Sequence, residues 1–152
     1  MTDISTIFDA LVTRLTTLYP SHRRLTNPYV LSSNNDQYLA QGWGLATRDG
    51  VNTNRQLSRR LSVSRNFDVV LTRRYFAKDL DITKIAIAEK SLLEDLQILQ
   101  DSFEGTPDLS SGLGNYVTKY NSDSGIIAAK DDRDDFLAII ASINVEYFRT
   151  IP

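Results

Sequence analysis

Two sets of charged side chains carry most of the chemistry this sequence offers. Between Arg48 and Lys78 lie Arg55, Arg59, Arg60, Arg65, Arg73 and Arg74, against only Asp49 and Asp68. Arginine stays charged and grips carboxylate or phosphate through a planar fork of donors. Further on, Asp131, Asp132, Asp134 and Asp135 crowd around Arg133. Clustered like charge repels unless solvent or a basic partner relieves it. Both sets suit charge-directed docking, and neither is a set that activates a nucleophile.

The inventory for catalysis is poor. There is no cysteine and a single histidine, His22. Disulfides and thiolate metal sites are excluded, and one histidine does not make a zinc site. The run Asp131–Asp135 lacks the central glycine and the distal glutamate of a calcium loop. A solvated hairpin tip is the plain reading of it, and docking onto a basic partner surface is the sharper one. Gly42-Trp43-Gly44 lacks the third glycine, the lysine and the following helix of a phosphate cradle. No serine–histidine–aspartate set assembles around His22, which sits among turn formers. The expectation is a non-enzymatic chain with no metal and no cofactor. A net charge of −2 argues against a dedicated nucleic-acid binder. The basic stretch still keeps a nucleic-acid-binding module as a rival reading. No apolar run is long enough to span a membrane, and the N-terminus does not resemble a signal peptide. Synthesis in a reducing cytoplasm is expected.

Length and apolar content suit one domain over residues 1–152. Its best helix runs from Ile82 to Phe103. Ile85, Leu92, Leu96, Leu99 and Phe103 recur at helical spacing, and Ala88 and Leu93 widen the stripe. Lys84, Glu89, Lys90, Glu94, Asp95 and Asp101 are read mostly on the other side. A first helix spans Asp3 to Leu18, with Ile4, Ile7, Phe8, Leu11, Leu15 and Leu18 on one face and Pro20 ending it. Arg14 is its one basic residue, so it lacks the basic face of a membrane-surface helix. Tyr19–Asp36 reads as irregular and Gln37–Arg48 as a strand whose glycines leave one face bare for a close neighbour. Asp49–Asn54 reads as the loop of a wide hairpin, since Asp49-Gly50 is a strong turn dipeptide.

The stretch Gln56–Phe76 alternates as one long half-buried strand, or as two with a bulge near Arg65. Arg59, Arg65 and Arg73 share the parity of Leu61, Phe67 and Leu71. They belong where that face runs out of core, at its edges or against a neighbour. Asn115–Asn121 reads as a strand and Asn121–Gly125 as a turn. Gly125–Lys130 and Phe136–Arg149 read as hairpin arms around the Asp131–Asp135 tip. Apolar residues of both parities through Ile140 call for cover on both faces, as a partner subunit would supply. The expected fold class is α+β: a mainly antiparallel sheet packed against an N-terminal helix and a long central helix.

This order of elements, with the strand Arg65-Asn66-Phe67-Asp68-Val69-Val70-Leu71-Thr72-Arg73-Arg74 and the closing Val145-Glu146-Tyr147-Phe148, resembles the tail terminator (tail completion) proteins of long-tailed bacteriophages. The resemblance covers nearly the whole chain, as a pattern of elements. It implies a structural virion protein without cofactors, forming a hexameric ring at the head–tail junction. Such a ring caps the tail tube, joins it to the neck or connector, and passes DNA as cargo. It also implies that Arg59, Arg65, Arg73 and Tyr147 lie at subunit boundaries. Asp131, Asp132, Asp134 and Asp135 would dock on a partner. A head-completion or connector adaptor of the phage neck is the neighbouring reading.

Overall fold

Alternation of β-branched and aromatic residues with polar ones produces the two longest strands of the sheet. The computed structural model describes residues 4–25, 27–29, 41–47, 51–57, 60–75, 82–104, 116–130 and 135–150. In chain order the elements are α1 (Ile4–Leu18), β1 (Arg23–Arg24), β2 (Gln41–Ala46), β3 (Val51–Leu57), β4 (Arg60–Tyr75), α2 (Ile82–Glu104), β5 (Tyr116–Asp123), β6 (Ile127–Lys130) and β7 (Asp135–Thr150). Among the described residues the fold is mixed α and β, with a seven-stranded, mostly antiparallel sheet and two helices. Strands β4 and β7 pair antiparallel without interruption from Arg60↔Thr150 to Tyr75↔Asp135. At about 3.4 Å per residue this ribbon is roughly 50 Å long.

The ribbon is flanked on each side by a strand that breaks midway. On one side β2 and β3 both pair antiparallel with β4, so they run in the same direction, end to end. Ala46 faces Asp68 and Val51 faces Arg65, so residues 47–50 stand opposite only 66–67. This corrects the hairpin read at Asp49–Asn54. Leu57 pairs with Arg60, so the reversal comes between β3 and β4. On the other side β5 and β6 both pair with β7, and residues 124–126 stand opposite 139–140. The turn read at Asn121–Gly125 is likewise a break in a continuing strand. Gly125 adopts φ 69°, open to glycine without the steric cost other residues meet. The Asp123 carboxylate accepts from its amide at 2.8 Å, and the Ser124 amide donates to the Ile140 carbonyl at 2.9 Å.

The helices supply the core against one face of the sheet. Ile7, Leu11 and Leu15 of α1 and Ala88, Leu92, Leu96, Leu99 and Phe103 of α2 are buried with Trp43, Leu45, Phe67, Val69, Leu71, Ile139, Ile143 and Val145. Burying a side chain such as Leu92 is worth about 1.5–3 kcal/mol. Leu93, read as widening the stripe of α2, is 50% exposed. Position 93 points away from the sheet because the buried face is centred on the 88–92–96–99–103 series. The second face carries a smaller cluster of Leu25, Val70, Phe136 and Ala138, with Ile140 packed on it. The sequence assigns cover here to a partner subunit, whereas the chain's own residues bury this patch. Leu25 and Pro28 lie so close over β2 that a Cβ on Gly44 would sit 2.8 Å from the Cβ of Pro28.

Candidate functional site

Position 95 lies three residues after Leu92 and four before Leu99, so the geometry of α2 carries Asp95 toward the sheet. Asp95 is 5% exposed. A buried charge without partners costs several kcal/mol, and two side chains, Arg73 and His22, reach the carboxylate to offset that cost here. Arg73 reaches it from β4, on the same parity as Phe67, Val69 and Leu71, and Nη2 donates to Oδ2 at 2.9 Å. His22 arrives from the connection after α1. The His22 amide donates to the Tyr19 carbonyl at 3.2 Å, which folds the imidazole back under the helix. His22 Nε2 then lies 2.9 Å from the same Oδ2. Gln41, the first residue of β2, places its amide nitrogen 3.3 Å from His22 Nδ1.

These contacts hold the imidazole at both ring nitrogens. The Gln41 amide nitrogen and Nη2 of Arg73 also approach Nε2, each at 3.5 Å. Arg73 and Asp95 form an ion pair with the imidazole fixed beside them. The Tyr19 hydroxyl donates to the main-chain carbonyl of Asp95 at 2.6 Å, and its ring lies 4.8 Å from the His22 ring. Burial, and then the negative charge of Asp95, push the phenol well above its ordinary value of 10.0. Tyr19 therefore acts as a neutral donor. The arrangement is a polar clamp whose chemistry is that of a fixed ion pair.

A second clamp sits at the other end of α2. Arg14 of α1 lays its guanidinium over the Phe103 ring, 4.0 Å from the centroid. Its Nε donates to the Ser102 hydroxyl at 3.0 Å, Nη2 to the Ser102 carbonyl, and Nη1 to the hydroxyl of Thr118 in β5 at 3.4 Å. Moving forward from Arg14 to Tyr19 moves backward along α2 from Ser102 to Asp95, so the two helices run antiparallel.

The residues singled out from the sequence fall in different places. Arg73, read at a subunit boundary, pairs with Asp95 inside its own chain. Arg65 is half-buried, and its Nε is enclosed without a hydrogen-bond partner. Tyr147 is 6% exposed and belongs to the main core, aligned with Val63 on β4 and Tyr116 on β5. Arg59, Asp131, Asp132 and Asp134 lie outside the described residues. Asp135 opens β7, in register with Tyr75 and Lys130. Asp95 corrects the reading that set it on the solvent side of α2. Its i+3 and i−4 relation to Leu92 and Leu99 was the available signal. Nothing in the spacing of His22 or Gln41 announced their meeting, which depends on the turn after Tyr19.

Among the described residues no group of three or more histidine, aspartate or glutamate side chains could hold a metal ion, and no helix is long and apolar enough to cross a membrane. No protein-family model matches the chain, and no curated protein sequence matches it.

Proposed function

We propose that this chain is a structural subunit of a ring at a phage head–tail junction, where it caps the tail tube and joins it to the neck. The observation that carries the reading is the order of elements. It runs amphipathic helix, long connection, paired strands ending in the basic strand β4, second helix, and closing strands ending at Phe148 and beyond. The sheet supports it further. A 16-residue ribbon clamped to two helices gives a stiff body, and stiffness suits a part that must hold one geometry between two stacked rings. On this reading the chain is not an enzyme, its partner is first of all its own copy, and it resides in the virion. DNA passes it as cargo.

The test is assembly. Purified chain examined by light scattering gives a hexamer, and added to polymerising tube protein it stops growth. Co-purification with a capsid connector in place of tube protein would favour a head-completion or adaptor role. A steep fall in DNA affinity with salt would favour a nucleic-acid-binding module, since phosphate contacts release counterions.

A further inference from the structure

Large apolar side chains stand exposed on α2, and two of them fall on one line. Ile87 is 61% exposed and Ile98 42% exposed. At about 100° per residue, the eleven positions between them bring the helix round to nearly the same angle, about 130° away from the buried series 88–92–96–99–103. Lys84, Ser91, Glu94 and Asp101 complete the outward series 84–87–91–94–98–101, exposed throughout except for the half-buried Ser91. Steps of three and four are the spacing of a coiled-coil seam. The helix therefore carries two stripes, one against its own sheet and one facing outward.

The outward stripe is complementary to itself when reversed. Positions 84 and 101, 87 and 98, and 91 and 94 are spaced about one common midpoint. An antiparallel second copy of α2 thus sets Ile87 on Ile98, Lys84 beside Asp101, and the Ser91 hydroxyl beside the Glu94 carboxylate, each contact made twice. The charges also run against the dipole of the helix. Lys84 stands near the N-terminus of α2 and Asp101 near its C-terminus, while the first turn holds no acidic residue and the last turn no basic one. The dipole favours the opposite placement, so α2 gains nothing from this order by itself, whereas an antiparallel neighbour does. Lys84 has an interaction within its own chain, and the three donors of an ammonium leave room for a second.

We infer that the outer face of α2 is a self-association surface, on which a second copy of this chain packs its own α2 antiparallel about a twofold axis between residues 91 and 94. The core face of α2 is turned away from this seam, so the two sheets lie outside the helix pair. Charge and register select the occupant: a second copy supplies aspartate where this chain has lysine, and isoleucine where it has isoleucine. Two isoleucines a side make a small seam, so the association is weak and depends on concentration. The inference stands apart from the ring reading, because a ring closes through unlike surfaces and this contact joins like ones.

The test is sedimentation of the full chain from micromolar to millimolar concentration, where the mass should rise from 17.1 kDa toward twice that value. Ile98→Ser should weaken association by about tenfold or more at an unchanged melting temperature, and Leu93→Ser, off the seam, should leave it as it was. Lys84→Asp and Asp101→Lys should each self-associate less than wild type, and each should bind the other variant better than itself. Damage to the fold would not produce that rescue. The chain has no cysteine, so oxidation can report the register. A mixture of Ile87→Cys and Ile98→Cys should cross-link, whereas Ile98→Cys alone should not, its two sulfurs lying about 16 Å apart along the seam. A monomer throughout, or a dimer that Ile98→Ser leaves intact, would overturn the pairing. Tube protein bound to a monomeric chain and lost in Ile98→Ser would assign the stripe to that partner and overturn it too. A hexamer indifferent to all these variants would keep the ring and discard this contact, and a dimer that responds to them without any hexamer would do the reverse.

Discussion

Apart from the short β1, the described residues run through one order of elements twice: a helix, a strand broken midway, a reversal, and a 16-residue strand. The first half comprises α1, β2–β3 and β4, and the second α2, β5–β6 and β7. The two long strands pair antiparallel and the two helices run antiparallel above them, so the halves face each other about an approximate twofold. They differ in how each resolves its broken flank. In the second half the break closes on itself. Asp123 and Ser124 supply the local hydrogen bonds, and Gly125 takes the left-handed conformation. In the first half the flank near the break is dressed by another segment: β1, Leu25, Pro28 and Tyr29 lie along β2. A self-satisfied break needs only its own residues, whereas a borrowed cover depends on a segment distant in sequence.

The halves are also joined asymmetrically. At the first clamp, Tyr19, His22 and Arg73 of the first half converge on one residue of the second, Asp95, and Gln41 braces His22. At the other, one residue of the first half, Arg14, reaches Ser102, Phe103 and Thr118 of the second. Removing the focal residue of the buried clamp should do the greater damage. Asp95→Ala leaves Arg73 without its carboxylate and should cost about 3–5 kcal/mol in denaturant unfolding. Arg14→Met keeps much of the stem packing and should cost about 1–3 kcal/mol. Equal losses would erase the distinction between the clamps.

The stripe of α2 gives a comparison on one element. Leu92 is fully buried and Leu93 half-exposed. Leu92→Ala should cost about 2–5 kcal/mol, and Leu93→Ala should stay within about 0.5 kcal/mol. The two breaks separate by glycine. Gly44→Ala drives a methyl into Pro28 and should cost about 1–3 kcal/mol, whereas Gly125→Ala meets open space and pays only for its positive φ, about 1 kcal/mol. A Gly44→Ala variant as stable as wild type would mean that the cover over β2 yields freely.

Tyr19 ties the first clamp to pH. In the folded chain it holds its proton above the ordinary value of 10.0, and in the unfolded chain it does not. Above that pH the unfolded state binds fewer protons, so stability falls as pH rises. Below it Tyr19 is protonated in both states, and its contribution is fully present. Tyr19→Phe should lose about 0.5–1.5 kcal/mol near neutrality and show a shallower alkaline decline. Parallel alkaline curves for the two proteins would remove Tyr19 from the account.

Periodicity made both helices and the long strands legible, because a stripe or an alternation is a local property of the chain. Ile4–Leu18 and Arg60–Tyr75 lie within the stretches so read. The breaks were misread as turns for a physical reason. Asp49-Gly50 and Asn121–Gly125 have turn chemistry, but whether such a sequence reverses the chain or bulges a strand depends on the partner strand. That partner lies far away in sequence. Arg73 was noticed for its parity with an apolar face, yet its carboxylate came from α2 in the same chain rather than from a neighbour. The close cover of Leu25 and Pro28 over β2 was foreshadowed by the bare face at Gly42 and Gly44.

The reading of this chain as a ring subunit is tested most directly by the mass of the purified protein in solution, measured by multi-angle light scattering across a range of concentrations. A particle of six chains, each of 17.1 kDa, is the result the ring predicts. A 17.1 kDa species that persists to the highest concentration, with and without tube protein, would contradict it.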